Sequence, residues 1–261
     1  MAEQRDQALD PLNPPYAFST QQRVYLWLTA FFVACLLIAD IVGIKLFRLP
    51  FGFSFRLPFM NQPIDAIEHT CGMLTFPVTF LLTDLINEYF GKKGARRVTY
   101  IGLTMGIFVF IVMNVAQYMP YLPASYNVDK TSFDAIFGSA KVMYLASLCA
   151  YLAGQMADIA IFGFLKRLTM GKSIWLRATG STVVSQMLDS FVVTLIAFDL
   201  GRRLFADPAS PPAPFVDIIK IAATGYALKF ALAVAITPLI YAGHSVMRRC
   251  FGLVPLPAEQ R

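Results

Sequence analysis

The chain has 261 residues, of which 57% are hydrophobic and only 15% charged, and its mean hydropathy of +0.58 exceeds what a soluble domain keeps in solution. That balance excludes a soluble enzyme and points to an all-α integral membrane protein. A formal net charge of +6 suggests nucleic acid in a soluble protein, but here the cations sit in loops beside apolar spans and read as topology signals. The four cysteines, Cys35, Cys71, Cys149 and Cys250, show no CxxC or Cys/His spacing. Neither a disulfide framework, a metal site nor a cofactor is indicated.

Residues 1–23 are polar and proline-rich, lack the basic-then-apolar order of a signal peptide, and read as a cytoplasmic tail;. A first span covers about 24–47 and contains Asp40. The stretch after it places Phe51, Phe53 and Phe55 at a period of two between prolines, which favours a short hairpin over a helix. It reads as a lid or as an aromatic anchor at the outer membrane surface. The second span, 70–90, carries Pro77, which is expected to bend it. Further spans follow at 98–119, 141–165, 177–200 and 215–244, with a short amphipathic piece at 132–138 and a DPASPPAP loop between the last two;. Six spans of about 20 residues each leave room for one domain: a six-helix transmembrane unit over 24–245 between the first tail and a second at 246–261.

Assigning the tails and alternate loops to one face places 13 Lys and Arg there: Arg5, Arg23, the cations of 92–97 and of 166–177, and Arg248, Arg249 and Arg261. The other face receives eight. Both termini are therefore expected in the cytoplasm.

The polar residues inside the spans carry the chemistry. Residues three or four apart share a helix face, which groups Asp84 with Glu88, Gln155 with Asp158, and Ser181 and Thr182 with Gln186 and Asp189. The segments GQMADIAIF (154–162) and SQMLDSFVV (185–193) repeat Gln-x-x-Asp on consecutive, oppositely directed spans. Two such motifs suit a recognition site lined from both sides. Lipid satisfies no polar group, so these stripes face the bundle interior. Asp189 and Lys229 fall near mid-span, Asp84 and Asp158 to the cytoplasmic side, and Asp40 to the outside. Five acids face Lys229 as the one base, and they cannot all stay charged and dry. That imbalance marks a transport or proton-handling site. Asp40 and Glu88, nearer the span ends, also suit a reach to the interface. Single Ser or Thr residues such as Ser185 and Thr79, and the pairs Ala30/Ala34 and Gly102/Gly106, suit helix-to-helix packing.

The runs Thr75-Phe76-Pro77, Phe80-Leu81-Leu82-Thr83-Asp84 and Glu88-Tyr89-Phe90-Gly91, together with Gly154-Gln155, Asp158, Ser181-Thr182, Gln186, Asp189 and Lys229, resemble the YhhQ-type queuosine precursor transporters, also called the vitamin uptake transporter family. The likeness runs from about Asp40 to Lys229. It implies six helices in a bacterial inner membrane and import of 7-cyano-7-deazaguanine or 7-aminomethyl-7-deazaguanine for the tRNA nucleoside queuosine, by secondary active transport. It also implies a distant likeness to the binding subunits of ATPase-driven vitamin importers. The expected partners are the deazapurine solute and the lipid bilayer, without direct contact to nucleic acid, and with a homo-oligomer left open.

Residue chemistry suits such a solute. A guanine-like edge offers two adjacent N–H donors to a carboxylate and a carbonyl to a donor. Asp158 or Asp189 would take the first, and Gln155, Gln186 or Lys229 the second, while Phe76, Phe80 or Tyr226 would stack on the ring. Two other classes compete. One is the binding subunit of an ATPase-driven importer, with Ala30/Ala34 as a docking seam. The other is an intramembrane aspartyl protease using Asp158 and Asp189, against which stands the missing Gly-x-Gly-Asp motif.

Overall fold

A computed structural model describes residues 18–43, 45–55, 64–137, 141–170, 172–200, 203 and 214–257. Helix α1 (Thr20–Val42) starts at a capping box in which Ser19 Oγ accepts from Gln22 N at 3.3 Å and Ser19 N donates to Gln22 Oε1 at 2.9 Å;. It begins four residues earlier than the apolar run and ends by Gly43, where Gly72 comes so close that an added Cβ would lie 2.7 Å from Ala39 O. No longer side chain fits at that contact, and the helix ends at Val42 rather than at residue 47.

Strands β1 (Leu46–Phe55) and β2 (Ile64–Thr70) then pair antiparallel, from Leu46 opposite Thr70 to Phe55 opposite Ile64, with an irregularity between Pro50 and Phe55. The expected hairpin is present, and it is the one β element among the described residues; its turn lies outside them. A 3-10 turn, Cys71–Leu74, leads into α2 (Phe76–Tyr118). Pro77 occupies the first turn of α2, where a missing N–H costs nothing;. It therefore opens this helix and does not bend it.

At 43 residues a straight α2 would extend about 65 Å, roughly twice the hydrocarbon thickness. It is not straight. Gly91 has φ 72° and ψ 178°, a conformation open essentially to glycine alone. The residues before Gly91 run antiparallel to α1, since Gly72 meets Ala39 and Thr75 Oγ1 donates to Cys35 O at 3.0 Å. Those after it run parallel to α1, since Gly94 lies against Tyr25 and Gly102 against Phe32 and Leu36. The chain thus reverses within a single residue. An added Cβ at Gly91 would also stand 3.2 Å from Leu256 Cδ1. Gly91→Ala is expected to destabilise the protein by about 1–3 kcal/mol, read as a lowered melting temperature in detergent.

Helix α3 (Lys130–Phe137) is short and surface-bound, and Asp129 caps it by accepting from Ser132 N at 3.1 Å;. Helices α4 (Lys141–Leu168) and α5 (Ile174–Leu195) pack along their length, with Gly154 against Asp189 Cβ and Ser185 O. A π-type turn, Ile196–Leu200, extends α5. Helices α6 (Phe215–Ala235) and α7 (Thr237–Arg249) meet at a 43° bend, set by Pro238 in the first turn of α7;. Residues 250–257 fold back so that Leu253 is buried and Leu256 N donates to Glu88 O at 3.0 Å.

Phe32, Leu28 and Val24 of α1 form the core with Leu85, Ile86, Val98, Tyr151 and Ile159. Outward, Trp27, Phe31, Phe108, Ile111 and Phe191 are exposed, as suits helices surrounded by lipid. Among the described residues four helices are long and apolar enough to cross a membrane, or five with α6 and α7 taken as one. Gly102 and Gly106 admit the close approach expected of them, each with an α4 side-chain atom 2.6 Å from where a Cβ would sit. Ala30 and Ala34 are exposed instead.

Candidate functional site

The second Asp-bearing stripe of the sequence, on the first half of α2, faces α4 and α5. Asp84 is 2% exposed, and neither of its oxygens has a hydrogen-bond partner among the described residues. Asp158, Glu88 and Arg177 all lie within electrostatic reach of it. Immediately before it on α2, Thr83 Oγ1 donates to Gln155 Oε1 of α4 at 3.4 Å. Asp158, a turn further along α4, accepts from Ser185 Oγ of α5 at 3.2 Å. The two Gln-x-x-Asp motifs therefore do face each other across the α4–α5 contact. Gln186 is buried with its Oε1 unpartnered among the described residues. Ser181 and Thr182 are buried on the same stripe, and Ser181 donates to Ala178 O.

Lys229 of α6 ion-pairs with Asp189 of α5. Its Nζ also stands 4.8 Å from the centre of the Phe76 ring, within cation–π range. Phe76 and Phe80 meet edge to face with centroids 4.3 Å apart. Tyr226 is half-buried, one turn before Lys229, and its ring neighbour is Phe230. Asp158 and Asp189 are thus held by different partners, Ser185 and Lys229, and do not form the shared-proton pair that an aspartyl protease requires.

Two expected members are placed elsewhere. Asp40 accepts from Ser147 Oγ at 3.0 Å, and Ser147 lies 11 residues from Asp158, about 16 Å along α4;. Glu88 does not reach the interface. It is 2% exposed and binds Arg177 Nη2 through Oε1 at 2.7 Å, while Lys166 Nζ stands 3.2 Å from Oε2 without hydrogen-bond alignment. Lys229 is accordingly not the one base inside the bundle. Arg177 and Lys166 had the appearance of loop cations, yet Arg177 lies at i−4 to Ser181 and i−8 to Ser185, on the same polar stripe. That spacing was the available signal. His244, at the end of the last apolar run, is buried too, with Nδ1 3.0 Å from Tyr89 Oη.

A helical bundle with a lipid-facing exterior and an interior of paired and unpaired ionisable groups defines a multi-pass membrane protein of the solute-carrying class. The chain belongs to the family described as "putative vitamin uptake transporter", whose family model matches residues 70–243. It is similar to a "probable queuosine precursor transporter" of Bacillus subtilis, 30% identical over 70% of this chain and 74% of that one. A Haemophilus influenzae protein with the same description is 29% identical over 71% and 74%. The "queuosine precursor transporter" of Escherichia coli is 31% identical over 52% of this chain and 58% of its own. No solved structure matches the chain.

Proposed function

We propose that the protein imports a queuosine precursor, a 7-deazaguanine, across the bacterial inner membrane, driven by a gradient and without an ATPase partner. The observation that carries this reading is Asp84. A buried carboxylate without a donor is costly; Asp158 lies within electrostatic reach of it, the adjacent Thr83 bonds Gln155, and Gln186 Oε1 is buried and unpartnered among the described residues. Adjacent N–H groups of a guanine-like edge would supply donors to that carboxylate or to Asp158, and Gln186 Oε1 would accept from a further ring or amino N–H. Its amide N–H₂ or that of Gln155 would donate to the ring carbonyl. Phe76 and Phe80 offer flat faces for stacking, and Lys229 with Asp189 closes the far side.

In this reading the limbs of α2 on either side of Gly91 are separate spans, and α6 with α7 is one. This gives six helices in one domain, with both termini in the cytoplasm. Single cysteines in a background without the native four test the orientation. A Cys at position 93 is expected to resist an impermeant thiol reagent applied to intact cells, and one at position 211 to react; the reverse pattern inverts the assignment.

Uptake by purified protein alone in liposomes tests the function. Labelled 7-cyano- and 7-aminomethyl-7-deazaguanine are expected to accumulate and to compete with each other, whereas guanosine is not. Absence of uptake by the protein alone, with uptake in cells, would favour an ATPase-coupled assembly.

A further inference from the structure

Glu88 holds two cations, while Asp84, one turn away on the same helix face, has no hydrogen-bond partner among the described residues. Arg177 of α5 and Lys166 of α4 both bind the Glu88 side chain, and Lys166 Nζ also donates to its backbone oxygen at 3.4 Å. That same oxygen accepts from Leu256 N. Directly after Glu88, Tyr89 binds His244 of α7. Five segments therefore converge at one point: α2, α4, α5, α7 and the returning C-terminal residues. Arg177 is itself 2% exposed and lies over the Phe162 ring at 5.8 Å. A solute leaving the interior at this end of the bundle must part these segments.

Asp84 and Glu88 are at i and i+4, so their side chains lie about 5–6 Å apart at Cβ, a step an arginine side chain spans by rotamer change alone. Lys166 would remain to neutralise Glu88 after Arg177 left. We propose that the Arg177–Glu88–Lys166 cluster is a latch closing this end of the bundle, and that Arg177 transfers to Asp84 when the end opens. Arg177 is then a positioning residue for transport, acting through the two carboxylates of α2. The inference rests on the carrier reading above, but its main test uses no solute.

The test places a reporter Thr83→Cys in a background with Cys35, Cys71, Cys149 and Cys250 replaced, and measures its labelling by an impermeant thiol reagent from each side of the membrane. Glu88→Gln removes the closed-state seat of Arg177 and is expected to raise labelling at least about fivefold, from the side bearing residues 92–97. Asp84→Asn removes the open-state seat and is expected to lower labelling from that side below the reporter alone. Because Asp84→Asn also relieves a carboxylate without a partner among the described residues, the fall is read in an Arg177→Gln background too: loss of the open-state seat no longer lowers labelling there, whereas a fall that persists without Arg177 is charge relief alone and overturns the transfer. Should Glu88→Gln fail to accumulate, Lys166→Gln carries the same expectation at smaller size. In liposomes Arg177→Gln is expected to cut maximal uptake at least about tenfold with KM changed less than about twofold, and Arg177→Lys to restore much of it. Flat labelling, a rise from the opposite side, or equal signs for Glu88→Gln and Asp84→Asn would overturn the latch even where uptake is intact. Lack of uptake by the unmodified protein would count against the solute and leave the labelling result standing.

Discussion

Asp84→Asn is expected to lower uptake of a labelled deazaguanine at least about a hundredfold while raising the melting temperature of the purified protein. The two effects share one cause. In the closed bundle the Asp84 carboxylate is buried with no donor among the described residues, beside Asp158 and Glu88, and relieving a buried unpaired charge stabilises a fold. An amide of the same shape carries no charge and offers an N–H₂ on the side of Asp158. Yet the same change withdraws the acceptor that a guanine-like edge would use, and a polar group left unpaired on the ligand is the costliest kind of mismatch. A hundredfold loss is about 2.7 kcal/mol, within the range for a hydrogen bond to a charged group. Thermal unfolding in detergent and uptake in liposomes, measured on one preparation, check both signs. A destabilised variant would show that Asp84 is structural.

Lys229→Met is expected to lower uptake at least about tenfold, close to 1.4 kcal/mol, and to lower stability as well. Lys229 pairs with Asp189 at the junction of α5 and α6 and lies against Phe76 of α2. Removing the cation strands Asp189, and breaking a buried pair by deleting one partner typically costs about 3–5 kcal/mol; the side chains here retain 10% and 15% exposure, so the low end is expected. The double variant Lys229→Met/Asp189→Asn leaves no charge behind and should recover most of the melting temperature. Uptake should not return with it, because the pair, and not only the absence of a bare charge, is what the α5–α6 contact uses. Full recovery of both in the double variant would reduce the pair to packing.

How much of this was legible in the sequence depends on the kind of signal. The lipid-facing helices, the β-ribbon and the facing Gln-x-x-Asp motifs follow from periodicity, because spacing of 3.6 or 2 maps directly onto a face. Lys229 stands out as a base near mid-span, and it pairs with Asp189, although Lys166 and Arg177 show that it is not the one base inside. Glu88 misled through those two cations. Arg177 and Lys166 sit at the ends of apolar runs, and a hydropathy window assigns such residues to loops, although long cationic side chains reach inward as readily as outward. Their partner is set by how the ends of α2, α4 and α5 meet, which no local pattern encodes. Pro77 misled through position: a proline bends a helix in its interior and merely opens one at its first turn, and the β-ribbon consumed the residues that would have preceded it. Asp40 shares depth with nothing else in the cluster, and sequence spacing gives depth along one helix only.

The reversal at Gly91 also bears on how the chain is made. If each limb is a span, as proposed above, the limbs 76–90 and 92–118 have one residue between them and no loop to translocate separately, and would enter the bilayer as a hairpin. The first limb brings Asp84, which near the middle of the membrane would cost about 2.5–3.5 kcal/mol, and Glu88 toward its end, roughly 80 to 90 residues before Lys166 and Arg177 emerge from the ribosome to meet Glu88. Until then the hairpin is held by the apolar second limb and by the contacts of Tyr25 and Phe32 with Gly94 and Gly102. Truncated nascent chains ending before α4 are therefore the species on which membrane quality control would act.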